Sequence, residues 1–230
     1  MVQAALYERL RAAAEPHWSR YVDHEFVRQL GAGTLAPHFF RYYLVQDYLF
    51  LRHLARAYGL AAYKSSSLEE LRQAGEAMRA IADIEISHHI AYCARHGVDK
   101  ATLEAGTEDL ATSAYARYVL DVGQAGDLLD LHAALAPCVV GYAEIGTRLT
   151  MSAEARRDGN RYWDWIEMYA GKAYQAVAEG ERAMLGRLGK SRGAEARLPQ
   201  LQRVFDEAVR LETGFWDMAL RASTEAGARA

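Results

Sequence analysis

Long blocks of this chain run between proline and glycine breaks with apolar residues recurring at three- and four-residue spacing, the period of an α-helix. Strand-like alternation is scarce. The pattern predicts an all-α protein with helices over roughly 3–21, 23–30, 36–63, 68–96, 108–122, 126–150, 158–187 and 198–221. Gly31-Ala32-Gly33 breaks the chain before Thr34, Gly97 closes the fourth helix, and a polar loop is expected from Gly189 to Gly193 ahead of Pro199. No repeat and no polar linker divides the chain, so residues 1–221 read as one helical domain. The segment 222–230 lacks a periodic apolar face and is expected to be a disordered tail.

Two of these helices, Phe39 to Tyr63 and Leu128 to Leu149, carry apolar residues nearly all round. Helices of that kind are enclosed by others, and a ligand pocket is expected between them. The surroundings are nearly neutral. There are 27 basic against 30 acidic side chains and the pI is about 6.2, which leaves no basic stripe for nucleic acid or an anionic membrane. Charges recur from Glu8 onward, so neither a signal peptide nor an uninterrupted membrane-spanning run is expected, and the protein is expected to be cytoplasmic. Cys93 and Cys138 stand 45 residues apart, outside any metal or redox spacing, and read as free thiols.

Polar residues on inward stripes carry the functional information, because a buried charge costs several kcal/mol unless it is paired. Asp47 interrupts Phe40, Leu44, Leu51, Leu54, Tyr58, and Glu212 interrupts Leu201, Phe205, Ala208, Phe215, Ala219. For both, a salt bridge to an arginine such as Arg41 or Arg56 competes with a ligand-facing role. Cys138 and Tyr142 share one helical face, with Pro137 just before the thiol; the bland reading of Cys138 is a small buried hydrophobe. Met78, Ile81, Glu85, His88 and Tyr92 line another face. There Glu85-Ile86-Ser87-His88 matches the Glu-x-x-His of di-iron bundles, but no other histidine has a glutamate three residues before it. A structural hydrogen-bonded pair of Glu85 with His88 or His89 is the simpler expectation. Tyrosines outnumber phenylalanines 14 to six, and several, among them Tyr115, Tyr142, Tyr162 and Tyr169, fall on inward stripes.

Taken together, His24-Glu25-Phe26-Val27 with Gly33-Thr34-Leu35, Phe40-x-x-Tyr43-x-x-Gln46-Asp47-Tyr48, Pro137-Cys138 with Tyr142-x-Glu144, Trp165-Ile166-x-x-Tyr169 and Glu212-x-x-Phe215-Trp216-x-Met218-Ala219 resemble the TenA family, also called thiaminase II or aminopyrimidine aminohydrolase. The likeness extends from about His17 to Leu220. It implies a haem-oxygenase-like helical bundle that assembles as a homotetramer, binds no haem and needs no metal or other cofactor. The implied reaction is hydrolysis of the bond between a pyrimidine methylene and its leaving group, in aminomethyl pyrimidine, a thiamin breakdown product or thiamin itself. The product is 4-amino-5-hydroxymethyl-2-methylpyrimidine, for thiamin salvage.

By the same resemblance Cys138 is the nucleophile, Glu212 the acid and Asp47 the holder of the pyrimidine amino group. Tyr115, Tyr142 and Tyr169 line the pocket, and Phe50 takes a stacking position that tyrosine can occupy elsewhere in the family. Tyr169 is implied to hydrogen-bond Glu212, and Tyr115 to approach Cys138. Two other readings compete: an oxidase of the quinone-cofactor synthase branch and a non-catalytic regulator that binds pyrimidine or acts on gene expression. The oxidase needs a histidine-rich anionic pocket, and no histidine lies on the stripes beside Asp47 and Glu212. A DNA-binding regulator needs a basic recognition helix that the chain lacks.

Overall fold

The computed structural model describes residues 5–223, and every regular element among them is helical. The helices are α1 (Leu6–Ala13), α2 (His17–Val22), α3 (Glu25–Ala32), α4 (Pro37–Lys64), α5 (Leu68–Arg79), α6 (Ile86–Arg95), α7 (Lys100–Ala105), α8 (Leu110–Ala125), α9 (Leu128–Met151), α10 (Trp163–Ala170), α11 (Lys172–Ser191) and α12 (Ala194–Leu220). A π-helical segment, Ala80–Glu85, joins α5 to α6. Residues 224–230 of the expected tail lie outside the described residues.

Side-chain chemistry at the ends accounts for much of this punctuation. Pro37 occupies the first turn of α4, where its missing N–H costs nothing. Ser67, Asp99 and Asp109 each accept a backbone N–H at the start of α5, α7 and α8. Gly33 adopts φ +73° at the end of α3, a conformation few other residues tolerate. Four expectations fail on local detail. The helix expected at 3–21 is broken between Ala13 and His17, next to Pro16. The one at 158–187 starts at Trp163 and is interrupted at Gly171, whose extended backbone separates α10 from α11. The polar loop at Gly189 to Gly193 is instead the end of α11 and a turn at Gly193, after which α12 takes Pro199 into its body. Helix α7 fills a stretch expected to be irregular.

The chain divides into two compact units, with divisions between α3 and α4, inside α9 and inside α12. One unit holds the residues up to Leu35 together with His132–Trp216; the other holds Ala36–Leu131 and the chain from Asp217. In the second unit α4 is the central helix, packed by α5, α6, α7, α8 and the π segment. All residues from Tyr43 to Leu51 are buried, as the all-round apolar pattern requires. Buried Gln46 fixes α8 against it. Its amide donates to the Thr107 carbonyl (2.9 Å) and its oxygen accepts from Asp109 N (2.9 Å) and Thr112 Oγ1 (2.6 Å).

In the first unit α1 and α10 pack on α11. Arg11 forks onto Glu144 of α9 (3.1 and 2.9 Å), and Trp18 Nε1 donates to the same carboxylate (3.2 Å). His132 and Glu181, both buried, join α9 to α11 at 2.8 Å. Asn160 ties the segment after α9 to the end of α3 through the carbonyls of Leu30 and Gly31, each at 3.0 Å. The expectation of no membrane-length apolar run needs correction for α9, which is long and apolar enough by length and composition to cross a bilayer. Its most apolar window is 89% buried within the protein, so that surface belongs to a core.

Candidate active site

The residues expected to act on a ligand fall into two groups, one in each unit. Asp47, Phe50 and Tyr115 belong to the second unit; Cys138, Tyr142, Tyr169 and Glu212 belong to the first.

Asp47 points from α4 into a cluster of titratable groups. Its Oδ2 accepts from the Tyr43 hydroxyl one turn earlier (3.4 Å) and lies 3.5 Å from His89 Nδ1. The other ring nitrogen, Nε2, sits 2.8 Å from the Leu44 carbonyl. Burial drives the Asp47 carboxyl up to about 7, against a smaller opposing effect of the Tyr43 hydrogen bond. Glu85 also rises to about 7, through burial first and the Asp47 charge second, while His89 partly offsets both. His89 falls below the ordinary histidine value because burial disfavours its cation. Burial and the Asp47 charge push the buried Cys93 thiol up to about 12, so it stays protonated.

This arrangement decides between sequence readings that were open. Asp47 is paired with neither Arg41 nor Arg56; its ion-pair partner is His89. A histidine stands beside Asp47 from α6, off the stripe that carries Asp47. His88 is exposed and Met78 is 40% exposed, and of the two partners expected for Glu85 it is His89 that lies near its charge. The cause is the π segment: its wider turns shift the helical phase at Glu85, and His89 rather than His88 reaches the core. Among the described residues no group of three or more His, Cys, Asp or Glu side chains is placed to hold a metal ion.

Beyond Asp47 on α4, the Phe50 ring stacks on Tyr115 of α8 with centroids 4.7 Å apart and planes at 20°. Both are buried, at 5% and 1% exposure. The Gln46 hydrogen bonds that fix the start of α8 therefore also set the position of Tyr115. Sequence reasoning passed over Gln46; the available signal was an amide on a helix apolar on every side.

In the first unit, Cys138 and Tyr142 lie one turn apart on α9. Cys138 is in no disulfide and is half-buried where its neighbours on the helix are buried. Tyr142 packs on Tyr169 (4.9 Å), Trp165 (5.8 Å) and Trp216 (5.5 Å), and Trp216 stacks on Phe26 at 4.8 Å. Glu212, 2% exposed, lies one turn before Trp216 on α12.

Two glycines admit these rings to the α9 backbone. A Cβ on Gly141 would lie 2.3 Å from the Tyr21 ring, whose hydroxyl donates to the Pro137 carbonyl at 3.3 Å, next to the thiol. A Cβ on Gly146 would lie 2.6 Å from the backbone N of Ala170, so only glycine lets the end of α10, with Tyr169, sit this close. Gln175 completes that junction by donating to the carbonyls of Ala143 (2.9 Å) and Tyr169 (2.8 Å). Neither glycine nor Gln175 stood out in the sequence, since their partners are far away along the chain.

These features define an all-helical protein with two groups of buried polar residues set among aromatic rings. Comparison with known proteins gives the fold and the family. A domain of haem-oxygenase-like fold from Shewanella denitrificans superposes with a TM-score of 0.71 at 14% identity, covering 96% of this chain and 94% of that one, a likeness of fold alone. A TenA family transcription regulator from Silicibacter sp. TM1040 superposes with a TM-score of 0.88 at 43% identity, over 94% of this chain and 97% of that one. An aminopyrimidine aminohydrolase from Halalkalibacterium halodurans is 35% identical over 216 residues, 94% of each chain. The profile of the TENA/THI-4/PQQC family matches residues 11–222, and the chain belongs to that family.

Proposed function

We propose that this protein is an aminopyrimidine aminohydrolase of thiamin salvage. It replaces the leaving group on the pyrimidine methylene of 4-amino-5-aminomethyl-2-methylpyrimidine, or of thiamin, with hydroxyl. The observation that carries the reading is near full-length similarity to an enzyme of that name, and it is supported by a half-buried thiol and two buried carboxyls among the residues that the resemblance singles out.

The chemistry accounts for those residue types. The methylene carbon releases an amine slowly while the ring stays aromatic. Addition of the Cys138 thiolate to ring C6, with Glu212 protonating ring N1, breaks the aromaticity and lets ring electrons expel the leaving group. Water then adds to the exposed methylene carbon and gives up a proton to the released amine or to solvent, the ring proton returns to Glu212, and the C–S bond breaks to restore the thiolate. Asp47 holds the amino group and the adjacent ring nitrogen. Phe50, Tyr115, Tyr142 and Tyr169 supply ring contacts, and Tyr169 orients Glu212. No metal or other cofactor takes part, so prolonged chelation leaves activity intact. The enzyme works in the cytoplasm as a homotetramer.

Incubating the purified protein separately with the aminomethyl pyrimidine and with thiamin, and weighing the products by mass spectrometry, tests the reading. Release of the hydroxymethyl pyrimidine from either supports it and names the preferred leaving group. Intact substrate in both incubations contradicts it.

A further inference from the structure

Tyr169 stands at the end of α10, and the groups that hold it belong, as it does, to the first unit. Its carbonyl is one of the last four of the helix, which find no partner within the helix itself. Gln175, in the first turn of α11, supplies one. Its side-chain amide donates to the Tyr169 carbonyl at 2.8 Å and to the Ala143 carbonyl of α9 at 2.9 Å. Both partners are oxygens that only accept, so the amide nitrogen faces them and gives one hydrogen to each.

The same stretch of backbone meets α9 directly. A Cβ on Gly146 would lie 2.7 Å from the Tyr169 carbonyl carbon and 2.6 Å from the Ala170 nitrogen. Around the Tyr169 ring stand Tyr142 (4.9 Å), Trp165 (4.5 Å) and, edge-on, Tyr174 (4.6 Å), the residue before Gln175. Ala143 follows Tyr142 in the chain. One side chain therefore ties down the backbone beside both rings of the Tyr142–Tyr169 pair.

We propose that Gln175 is a positioning residue for catalysis: bonded to the Ala143 and Tyr169 carbonyls, it fixes the spacing of the Tyr142 and Tyr169 rings and with it the aim of the Tyr169 hydroxyl at Glu212. This rests on the proposed function, in which Tyr169 orients the acid. Glu212 gives its proton as the thiolate adds, so misaligning it lowers kcat, whereas ring contacts that hold substrate and transition state alike survive. Gln175 acts on the reaction through Tyr169.

The test compares turnover in the parent, Gln175→Leu, Tyr169→Phe and the double variant. Gln175→Leu is expected to lower kcat by about ten- to a hundredfold, the cost of a misplaced catalytic group, with KM within about threefold of the parent. In the Tyr169→Phe background, which has no hydroxyl to aim, the same change is expected to cost less than about threefold. An equal loss of kcat in both backgrounds, or a folded Gln175→Leu protein with parental kcat, overturns the proposal. Gln175→Glu keeps the size of the side chain, but as a carboxylate it offers lone pairs where both carbonyls need hydrogens; its acid form regains one O–H. The two carbonyls disfavour the charged form and raise the introduced carboxyl above its ordinary range. The kcat of Gln175→Glu relative to the parent is therefore expected to rise as pH falls from about 8 to about 5, and a ratio independent of pH overturns the proposal.

If none of the Gln175 variants folds, the parent protein decides. Both amide hydrogens of Gln175, followed with ¹⁵N-glutamine, are expected to exchange slowly with solvent, and fast exchange overturns the proposal. If the parent turns over no pyrimidine, the proposed function fails while protein labelled with 3-fluorotyrosine still judges Gln175. The resonance lost in Tyr169→Phe is expected to shift in Gln175→Leu while that of Tyr63, 86% exposed, stays in place; an unmoved Tyr169 resonance overturns the proposal.

Discussion

The two groups of candidate site residues solve the problem of buried polarity in different ways. Around Asp47, acidic and basic side chains face one another within one unit, and burial raises two carboxyls to about 7 while lowering an imidazole. Around Cys138 and Tyr142 the surroundings are aromatic rings, fixed by glycines that bring Tyr21 and Tyr169 against a helix backbone. The first arrangement leaves its groups poised to change protonation near neutral pH. The second is closely packed, with helix backbone and rings meeting where only glycine fits.

The largest expected effect in the aromatic region is on rate. Glu212→Gln preserves volume and most hydrogen bonding but cannot deliver an acidic proton, so turnover should fall by about 10² to 10⁴. Thermal stability should stay nearly unchanged. Retained specific activity in a protein that melts easily would make Glu212 structural and place the acid elsewhere. The close packing is tested by Gly146→Ala, where the added methyl meets Ala170 backbone that cannot step aside. A loss of about 1–3 kcal/mol, the usual cost of overpacking, is expected in denaturant unfolding, together with reduced turnover as Tyr169 shifts. A variant as stable and as active as the parent would show the α9–α10 contact to be soft.

In the titratable region the expected change lies in stability against pH. Asp47 has a folded pKa raised from 3.8 to about 7, so the folded protein binds more protons than the unfolded chain between those values. Stability therefore declines as pH rises from about 4 and is lowest on this account above 7. Asp47→Asn removes that penalty: melting temperatures of variant and parent should converge near pH 4, and the variant should melt higher at pH 8. A shift of about 2–4 °C corresponds to each kcal/mol in a chain of this length. A variant less stable at pH 8 would show that Asp47 contributes more as an ion-pair partner than it costs by burial. The smallest effect is expected for His88→Ala. Since His88 is exposed, unfolding should change by no more than about 0.5 kcal/mol, with KM unaltered. A raised KM would put His88, not His89, at the site.

The contrast also explains what could be read in advance. The all-round apolar character of α4 and α9 and the polar breaks in the stripes of α4, α9 and α12 are periodic properties of a single helix, so Asp47, Cys138 and Glu212 stood out from the sequence alone. Family likeness then gave them roles. His89 did not stand out because its placement depends on a π segment whose residues carry no distinctive pattern, and a phase slip defeats a count based on 3.6 residues per turn. Gln46, Gln175, Gly141 and Gly146 act on residues distant in the chain, and periodicity within one helix says nothing about such partners. The breaks at Pro16 and Gly171 were missed because apolar spacing continues across them.

The central claim is that the half-buried thiol on α9 is the nucleophile. It is tested most directly by measuring turnover of the aminomethyl pyrimidine and affinity for its hydroxymethyl product in Cys138→Ser, beside the parent enzyme. A serine hydroxyl is far too weakly acidic to add to the ring unaided. The account predicts that turnover is abolished while product affinity stays within a few fold; normal turnover in Cys138→Ser would contradict it.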